Sequence, residues 1–203
     1  MVDVVNFFAY DEMISDEVFK EKGLEYISKT SVSLSGWQMV FNKIPKDNGG
    51  LEGLGLANIE PTADNSGMMH GEIYEMDEKF LPQIDKLYDH PVEYQRKVMR
   101  FNRHDFIMMN GFTYVAKLDQ IKKGLKPSKA MMKRFRKTKK SFPMLYFARL
   151  MNTRTVDWSC FKNSYAILHG IGEAAGNRLS KSYFRTPSQK RDRPTQGIDP
   201  TPD

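Results

Sequence analysis

Met68-Met69-His70-Gly71-Glu72-Ile73-Tyr74-Glu75-Met76 is the stretch of sequence that decides the fold. Its alternation, with a period of two residues, predicts a strand that has one buried face. The apolar spacing of residues 77–87 predicts a short helix directly after it, and residues 93–101 predict the next strand. We expect a pocket to open at the corner between this helix and strand, which is formed by Tyr88-Asp89-His90-Pro91.

The other predicted elements form two groups along the chain. Strand patterns occur over 4–10, 31–41, 55–61 and 106–115, and helix patterns occur over 14–27, 128–140, 143–151 and 157–179. Because strands dominate residues 1–116 and helices dominate 117–182, we predict an α+β fold. We predict one domain over 1–151, a helical extension over 152–185, and a flexible tail over 186–203, which is polar and rich in proline.

The composition is that of an ordinary globular protein. No apolar run approaches the roughly 20 residues that span a bilayer, so we predict no membrane span. The first residues lack the basic start and long apolar centre of a signal peptide. The single cysteine, Cys160, excludes an intramolecular disulfide and indicates a reducing compartment, so we predict a cytoplasmic location.

Positive charge is concentrated in residues 117–140, which contain eleven Lys or Arg and one acid, Asp119. This segment therefore carries a charge of +10, and because the whole chain carries +6, the remaining residues sum to −4. A basic helix of this kind is either a solvated face or a surface for an acidic partner, an anionic membrane or a nucleic acid. Phe135 is the one aromatic residue of 123–140, so this segment offers few aromatic rings on which the bases of a nucleic acid could stack.

Thirteen methionines are many for 203 residues. They either fill the core or supply an adaptable surface for a protein partner. The candidate surface lies in residues 117–182 and would consist of Met131, Met132, Phe135, Met144, Phe147 and Met151.

Several short motifs follow one another in a recognisable order. They are Phe7-Phe8-Ala9-Tyr10 with Met13, Leu34-Ser35-Gly36-Trp37, Ala57-Asn58-Ile59, Gly71-Glu72-Ile73-Tyr74, Ile84-Asp85, Tyr94-Gln95-Arg96 and Lys126-Pro127-Ser128. Their order and spacing over residues 4–150 resemble the γ-glutamylcyclotransferase-like family, which includes AIG2-like and γ-glutamylamine cyclotransferase proteins. The resemblance implies a small mixed β-barrel with flanking helices and a pocket at one barrel mouth. Residues 152–203 have no counterpart in it.

The resemblance also implies a reaction. In the family, backbone N–H groups of a Tyr-Gly-Ser loop bind the α-carboxylate of a γ-glutamyl substrate. A glutamate in a Leu-Asp-x-x-Glu motif takes a proton from the substrate's α-amine. The amine then attacks the γ-carbonyl carbon and releases 5-oxoproline, a case of proximity assisted by a placed base. We predict no cofactor.

This sequence departs from the family at both functional motifs. The loop is Tyr10-Asp11-Glu12, in which two carboxylates replace Gly-Ser. Tyr88 takes the place of the glutamate, and a phenol is a poor base near neutral pH. The register follows from Tyr94-x-Arg96, which comes after Tyr88 at the family's spacing. Both departures argue against the parent reaction.

Two overlapping sets of candidate site residues follow. The candidate catalytic residues are Tyr88, Glu12, Asp11 and Asp89. The candidate substrate-binding residues are Tyr10, Asp11, Glu12, Met13 and Tyr94, for a small γ-glutamyl or amine ligand. No metal site is predicted, because the spacing of His70, His90, His104 and His169 does not match that of metal ligands.

Alternatives remain for each candidate. Tyr88 either orients a ligand or fills the space of the missing glutamate. Asp11 and Glu12 either form an acid pair that binds an amine or cation, or are a solvated strand end. Asp89 and Glu93 are further candidate bases, although aspartate is also favoured in turns for structural reasons.

Two hypotheses therefore stand. In the first, the chain is a binding or assembly protein that has lost the parent activity. In the second, it is an enzyme that releases 5-oxoproline from γ-glutamyl amines or peptides with a substitute carboxylate as its base.

Overall fold

The structure, a computed structural model, describes residues 3–47 and 49–156, which belong to one compact unit spanning Met1–Phe161. The strands are β1 (Val4–Ala9), β2 (Ser28–Ser35), β3 (Trp37–Lys43), β4 (Leu56–Pro61), β5 (Met68–Asp77), β6 (Tyr94–Arg103) and β7 (Met108–Ala116). The α-helices are α1 (Asp16–Glu21), α2 (Leu81–Leu87), α3 (Lys129–Lys137) and α4 (Met144–Met151).

Five strands form a closed barrel in the order β1-β5-β2-β6-β7. All neighbouring strands are antiparallel except β1 and β7, which are parallel. The predicted α+β class and mixed barrel are therefore confirmed. The alternation of β5 places Met69 and Ile73 on one face in the core, as the sequence predicts, but Tyr74 and Met76 on the opposite face are buried as well.

The barrel closes between β1 and β7 largely through side chains. The two strands pair at one position, Phe7 opposite Phe112. Around it, the Asn6 amide donates to the Asn110 carbonyl (3.0 Å), and the Tyr10 hydroxyl donates to the Tyr114 carbonyl (2.8 Å). The Thr113 hydroxyl donates in the opposite direction, to the Phe8 carbonyl, at 2.9 Å.

The prediction of one strand over residues 31–41 is wrong, because the structure has two strands there. Gly36 has a φ of 79°, a left-handed conformation that turns the chain between β2 and β3. β2 stays in the barrel, whereas β3 leaves it and pairs with β4 in a separate two-stranded sheet. The apolar positions change parity at this turn, from Val32 and Leu34 before it to Trp37, Met39 and Phe41 after it, and this shift was the available signal of the break.

The basic segment is helical over only part of its length. Residues 121–128 contain no helix, and α3 begins after Ser128, whose side chain accepts a hydrogen bond from the Met131 N–H, as the sequence predicts. Met132 and Phe135 of α3 are buried, which removes them from the predicted partner surface, whereas Met144 of α4 is exposed. They are buried because the apolar face of α3 packs on the barrel core.

The predictions for 157–179, for most of the 152–185 extension, for the 186–203 tail and for Cys160 lie outside the described residues. The domain limits stay predictions. Within residues 3–47 and 49–156, no helix has both the length and the apolar character needed to cross a membrane.

Candidate functional site

A cavity of about 220 Å³ lies where β1 ends, β6 begins and α3 crosses them. Because β1 and β7 are parallel and β6 is antiparallel to β7, these strand ends lie at the same mouth of the barrel. The residues that matter for its chemistry are Asp11, Glu12, Met13, Lys22, Tyr88, Glu93 and Tyr94, and α3 contributes Met131 and Phe135. This cavity is the candidate site.

Asp11 is the centre of the candidate site. It follows β1 as the N-cap of a single 3₁₀ turn, Glu12–Ile14. One carboxylate oxygen, Oδ1, accepts from the Met13 N–H at 2.9 Å, and the other, Oδ2, accepts from the Tyr88 hydroxyl at 2.8 Å. Burial raises the pKa of the Asp11 carboxyl to about 6, although both hydrogen bonds act to lower it.

Tyr88 is held rigidly at the end of α2. Its ring stacks on Tyr114 with 4.3 Å between centroids and an interplanar angle of 5°, and Tyr94 meets it edge-on. The side chain is only 7% exposed. Burial and the neighbouring Asp11 carboxylate raise the pKa of Tyr88 well above its ordinary value. Tyr88 therefore remains protonated and acts as a hydrogen-bond donor to Asp11.

A second carboxylate, Asp85 on α2, holds this aromatic stack in place. It accepts a hydrogen bond from the Tyr114 hydroxyl at 2.6 Å and forms an ion pair with Arg96 at 3.2 Å. Asp85 and Arg96 thus join α2 to β6 beneath Tyr88. Both residues belong to motifs singled out in the sequence, and the structure gives them a positioning role.

The other carboxylates near the site have cationic partners. Glu12 pairs with Arg134 of α3. Glu93 pairs at 2.9 Å with Lys43, a fully buried lysine. Among the described residues, no cation pairs with Asp11 within 4 Å. Of the carboxylates in the described lining, Asp11 is therefore the one without an ion-pair partner in the described part of the chain.

The structure brings together most of the predicted site residues. Asp11, Glu12, Met13, Tyr88 and Tyr94 all line the cavity. Tyr10 does not line it, because its side chain is buried and its hydroxyl closes the barrel. Asp89 does not line it either and pairs with Lys46 at 2.7 Å.

Sequence reasoning missed Lys22, which lines the cavity, and two features that form or support the cavity wall. The first is α3, whose apolar spacing was visible but whose position over the barrel mouth was not. The second is Lys43, which lies two residues after buried Phe41 in β3 and so shares its inward face. That spacing was the available signal. Within the described part of the chain, no three His, Cys, Asp or Glu residues are grouped to hold a metal ion.

The fold and the site define a class: small closed-barrel proteins with an acidic pocket at one mouth. The family described as "Gamma-glutamyl cyclotransferase, AIG2-like" matches residues 8–137, and the chain belongs to this family. No curated protein gives a significant match to the chain.

Solved structures share the fold at low sequence identity. A protein named gamma-glutamyl cyclotransferase superposes with a TM-score of 0.65 at 15% identity, and the match covers 77% of this chain and 92% of that one. An uncharacterized Homo sapiens protein gives a TM-score of 0.65 at 15% identity, over 77% and 91% of the two chains. A yeast gamma-glutamyl cyclotransferase specific to glutathione gives 0.54 at 10% identity, over 73% and 94%.

Proposed function

We propose that this chain binds a small ligand through a primary amine, held by Asp11, and does not carry out the cyclisation that its family is named for. The observation that carries the proposal is the Asp11 carboxylate, which lines the cavity with two neutral donors and no cationic partner among the described residues. An ammonium group supplies the missing charge, and a buried charge is stabilised most by an opposite one.

The state of Tyr88 supports the loss of the parent reaction. By the sequence resemblance, this residue stands where the family has its glutamate base. Its hydroxyl donates to Asp11 and its pKa lies well above the ordinary value of a phenol. A group that keeps its proton at neutral pH cannot remove one from a substrate amine.

The charge of the cavity supports a cationic ligand over a γ-glutamyl substrate. Glu12 and Glu93 have cationic partners, so Asp11 is the carboxylate of the described lining that lacks one. The α-carboxylate of a γ-glutamyl group placed beside Asp11 would meet a like charge, which is unfavourable in a partly desolvated site.

A second candidate function is favoured by one observation, the placement of the Asp11 carboxylate beside Tyr88. In this case Asp11 takes a proton from the ammonium group of a γ-glutamyl substrate. The freed amine attacks the γ-carbonyl carbon, the bond to the leaving amine breaks, and the leaving amine takes up the proton. The products are 5-oxoproline and the amine. A carboxyl with a pKa of about 6 is a suitable base for this step.

One set of experiments separates these functions. Binding of butylamine, putrescine and lysine amide is measured by calorimetry at pH 7.5, and 5-oxoproline release is measured from γ-glutamyl amines and peptides. We expect 1:1 amine binding that weakens about tenfold or more in Asp11→Asn, since a charge-assisted contact contributes about 1.5–3 kcal/mol. We expect no 5-oxoproline from the unmodified protein.

The control is Asp89→Asn, which makes the same chemical change at a neighbouring carboxylate outside the cavity and should leave amine affinity unchanged. Release of 5-oxoproline that is lost in Asp11→Asn would overturn the proposal in favour of the second function. Release gained only in Tyr88→Glu would show that the pocket lacks nothing but its base. An absence of both amine binding and turnover would refute both functions.

Two further parts of the proposed function rest on the sequence. A protein partner would bind within residues 117–182, where exposed Met144 and Leu145 of α4 are the described apolar candidates. A cytoplasmic location agrees with the single cysteine.

A further inference from the structure

A second and larger cavity, of about 1030 Å³, lies against a different face of α3. α3 separates the two cavities: Met131 and Phe135 line the candidate site, whereas Lys133 and Arg136 line this one. We call it the basic cleft. Its charged lining consists of Lys126, Lys129, Lys133, Arg136, Arg154 and Glu52. Five cations against one carboxylate give the cleft a strongly positive wall.

For four of the five cations, the described part of the chain supplies no carboxylate partner. Two basic residues of α3 lie outside the cleft and form ion pairs. Arg134 pairs with Glu12, and Lys137 pairs with Glu17. By contrast, Lys126, Lys133, Arg136 and Arg154 form no ion pair with any carboxylate in the described part of the chain. Among the described residues, the carboxylates that pair with α3 therefore meet Arg134 and Lys137, and Lys133 and Arg136 on the cleft side have no carboxylate partner.

The helical spacing concentrates this charge further. Lys129, Lys133 and Arg136 stand at positions i, i+4 and i+7, which bring them onto one face of α3. Like charges at such spacings repel one another and destabilise a helix. An anion bound between them is attracted to each cation, and this attraction offsets the repulsion.

We propose that the basic cleft is a binding site for a small polyanion that carries several phosphate groups. Lys and Arg are the side chains that bind phosphate oxygens most strongly, and the Thr153 and Thr155 hydroxyls on the same wall are further donors. The cleft is concave and has room for several phosphates, so it suits a compact ligand.

Two other occupants fit the cleft less well. No aromatic residue occurs among its described lining, so a single-stranded nucleic acid would lack surfaces on which bases stack. The chain's own residues 157–203 contain seven Lys or Arg and five Asp or Glu. Their net charge of +2 does not complement a positive wall.

The test is a calorimetric titration of the full chain with inorganic tripolyphosphate. We expect one binding site per chain and a loss of affinity of about tenfold in Lys133→Ala and again in Arg136→Ala. Lys137→Ala is the matched control, because it removes the same charge from the same helix outside the cleft, and it should change affinity less than about twofold. The affinity should fall as ionic strength rises.

Three results would overturn the proposal: no binding of tripolyphosphate, an equal loss in Lys137→Ala, or tighter binding of a single-stranded RNA oligonucleotide than of tripolyphosphate. The first would show that the cleft is only a solvated basic surface. The second would indicate a general charge effect, and the third would identify a nucleic-acid surface. Asp11→Asn should leave tripolyphosphate affinity unchanged, so the result is independent of the proposed amine site.

Discussion

Gly71→Ala is expected to destabilise the folded barrel strongly. Gly71 lies in β5 opposite Val32, and a Cβ placed there would lie 2.4 Å from the Ala9 carbonyl oxygen and 2.7 Å from the Phe8 ring. The backbone oxygen cannot move without separating β1 from β5, and the ring is fully buried. Overpacking typically costs about 1–3 kcal/mol, and the contact with a backbone oxygen places this substitution at the upper end, a large share of the stability of a typical domain.

Urea unfolding, followed by tryptophan fluorescence and circular dichroism, measures this loss. Gly111→Ala is a graded comparison, since its added Cβ would lie 2.9 Å from the Asn6 carbonyl oxygen. Gly124→Ala is the control for backbone conformation, because Gly124 has a φ of 84° and open space around it. The expected order of destabilisation is Gly71→Ala, then Gly111→Ala, then Gly124→Ala at about 1 kcal/mol. An unfolding midpoint for Gly71→Ala equal to that of the unmodified protein would contradict the close approach of β1 and β5.

The second large effect is a reversed dependence of stability on pH at Asp11. Because burial raises the pKa of this carboxyl in the folded state to about 6, the folded protein holds the proton more tightly than the unfolded chain does. The contribution of Asp11 to stability is therefore highest below about pH 4, the ordinary pKa of aspartate, and falls as pH rises to about 6. Most paired carboxylates have the opposite effect.

The measurement is the free energy of unfolding of the unmodified protein minus that of Asp11→Asn, at intervals from pH 4 to pH 7.5. In this difference, the contributions of the other titratable groups to the free energy of unfolding cancel, because the substitution does not change those groups. We expect the difference to fall by up to about 3 kcal/mol over this range, since each pKa unit corresponds to about 1.4 kcal/mol. A difference that is constant with pH, or rises, would show that Asp11 is ionised in the fold without cost. A saturating concentration of amine should reduce the decrease of this difference with pH, because the bound amine stabilises the charged carboxylate.

The sequence predicted the elements that have a strong local pattern. α3 follows the cap and the apolar spacing that its residues indicate, because one of its faces meets the core. β5 and β7 were found from their apolar residues, although both of their faces are partly buried. The site residues were found through the family resemblance. Periodicity carries no information about which side chains converge at the end of β1.

What the sequence did not predict arises from contacts between distant segments. The partner of Lys43 is Glu93, fifty residues further along the chain, and the sequence around neither residue indicates that they form an ion pair. The spacing of Met132 and Phe135 is the same whether α3 packs on the barrel or binds a partner. Hydrophobic spacing identifies the apolar face of a helix, but it does not show which element covers that face. Tyr10 belongs to the family motif, yet its hydroxyl donates a hydrogen bond to the Tyr114 carbonyl that helps close the barrel.

The closure of the barrel through the side chains of Asn6, Tyr10 and Thr113 has a consequence for its motions. A ladder of main-chain hydrogen bonds opens cooperatively, whereas a join made of separate side chains can loosen one bond at a time. The one main-chain pairing at this seam, between Phe7 and Phe112, is much shorter than the six-residue ladder of β1 with β5, so we expect local opening to cost less at the seam than along that ladder. Tyr10 directly precedes Asp11. We therefore expect that loss of the Tyr10 hydrogen bond would also displace the carboxylate at the barrel mouth and shorten the residence time of a ligand held there.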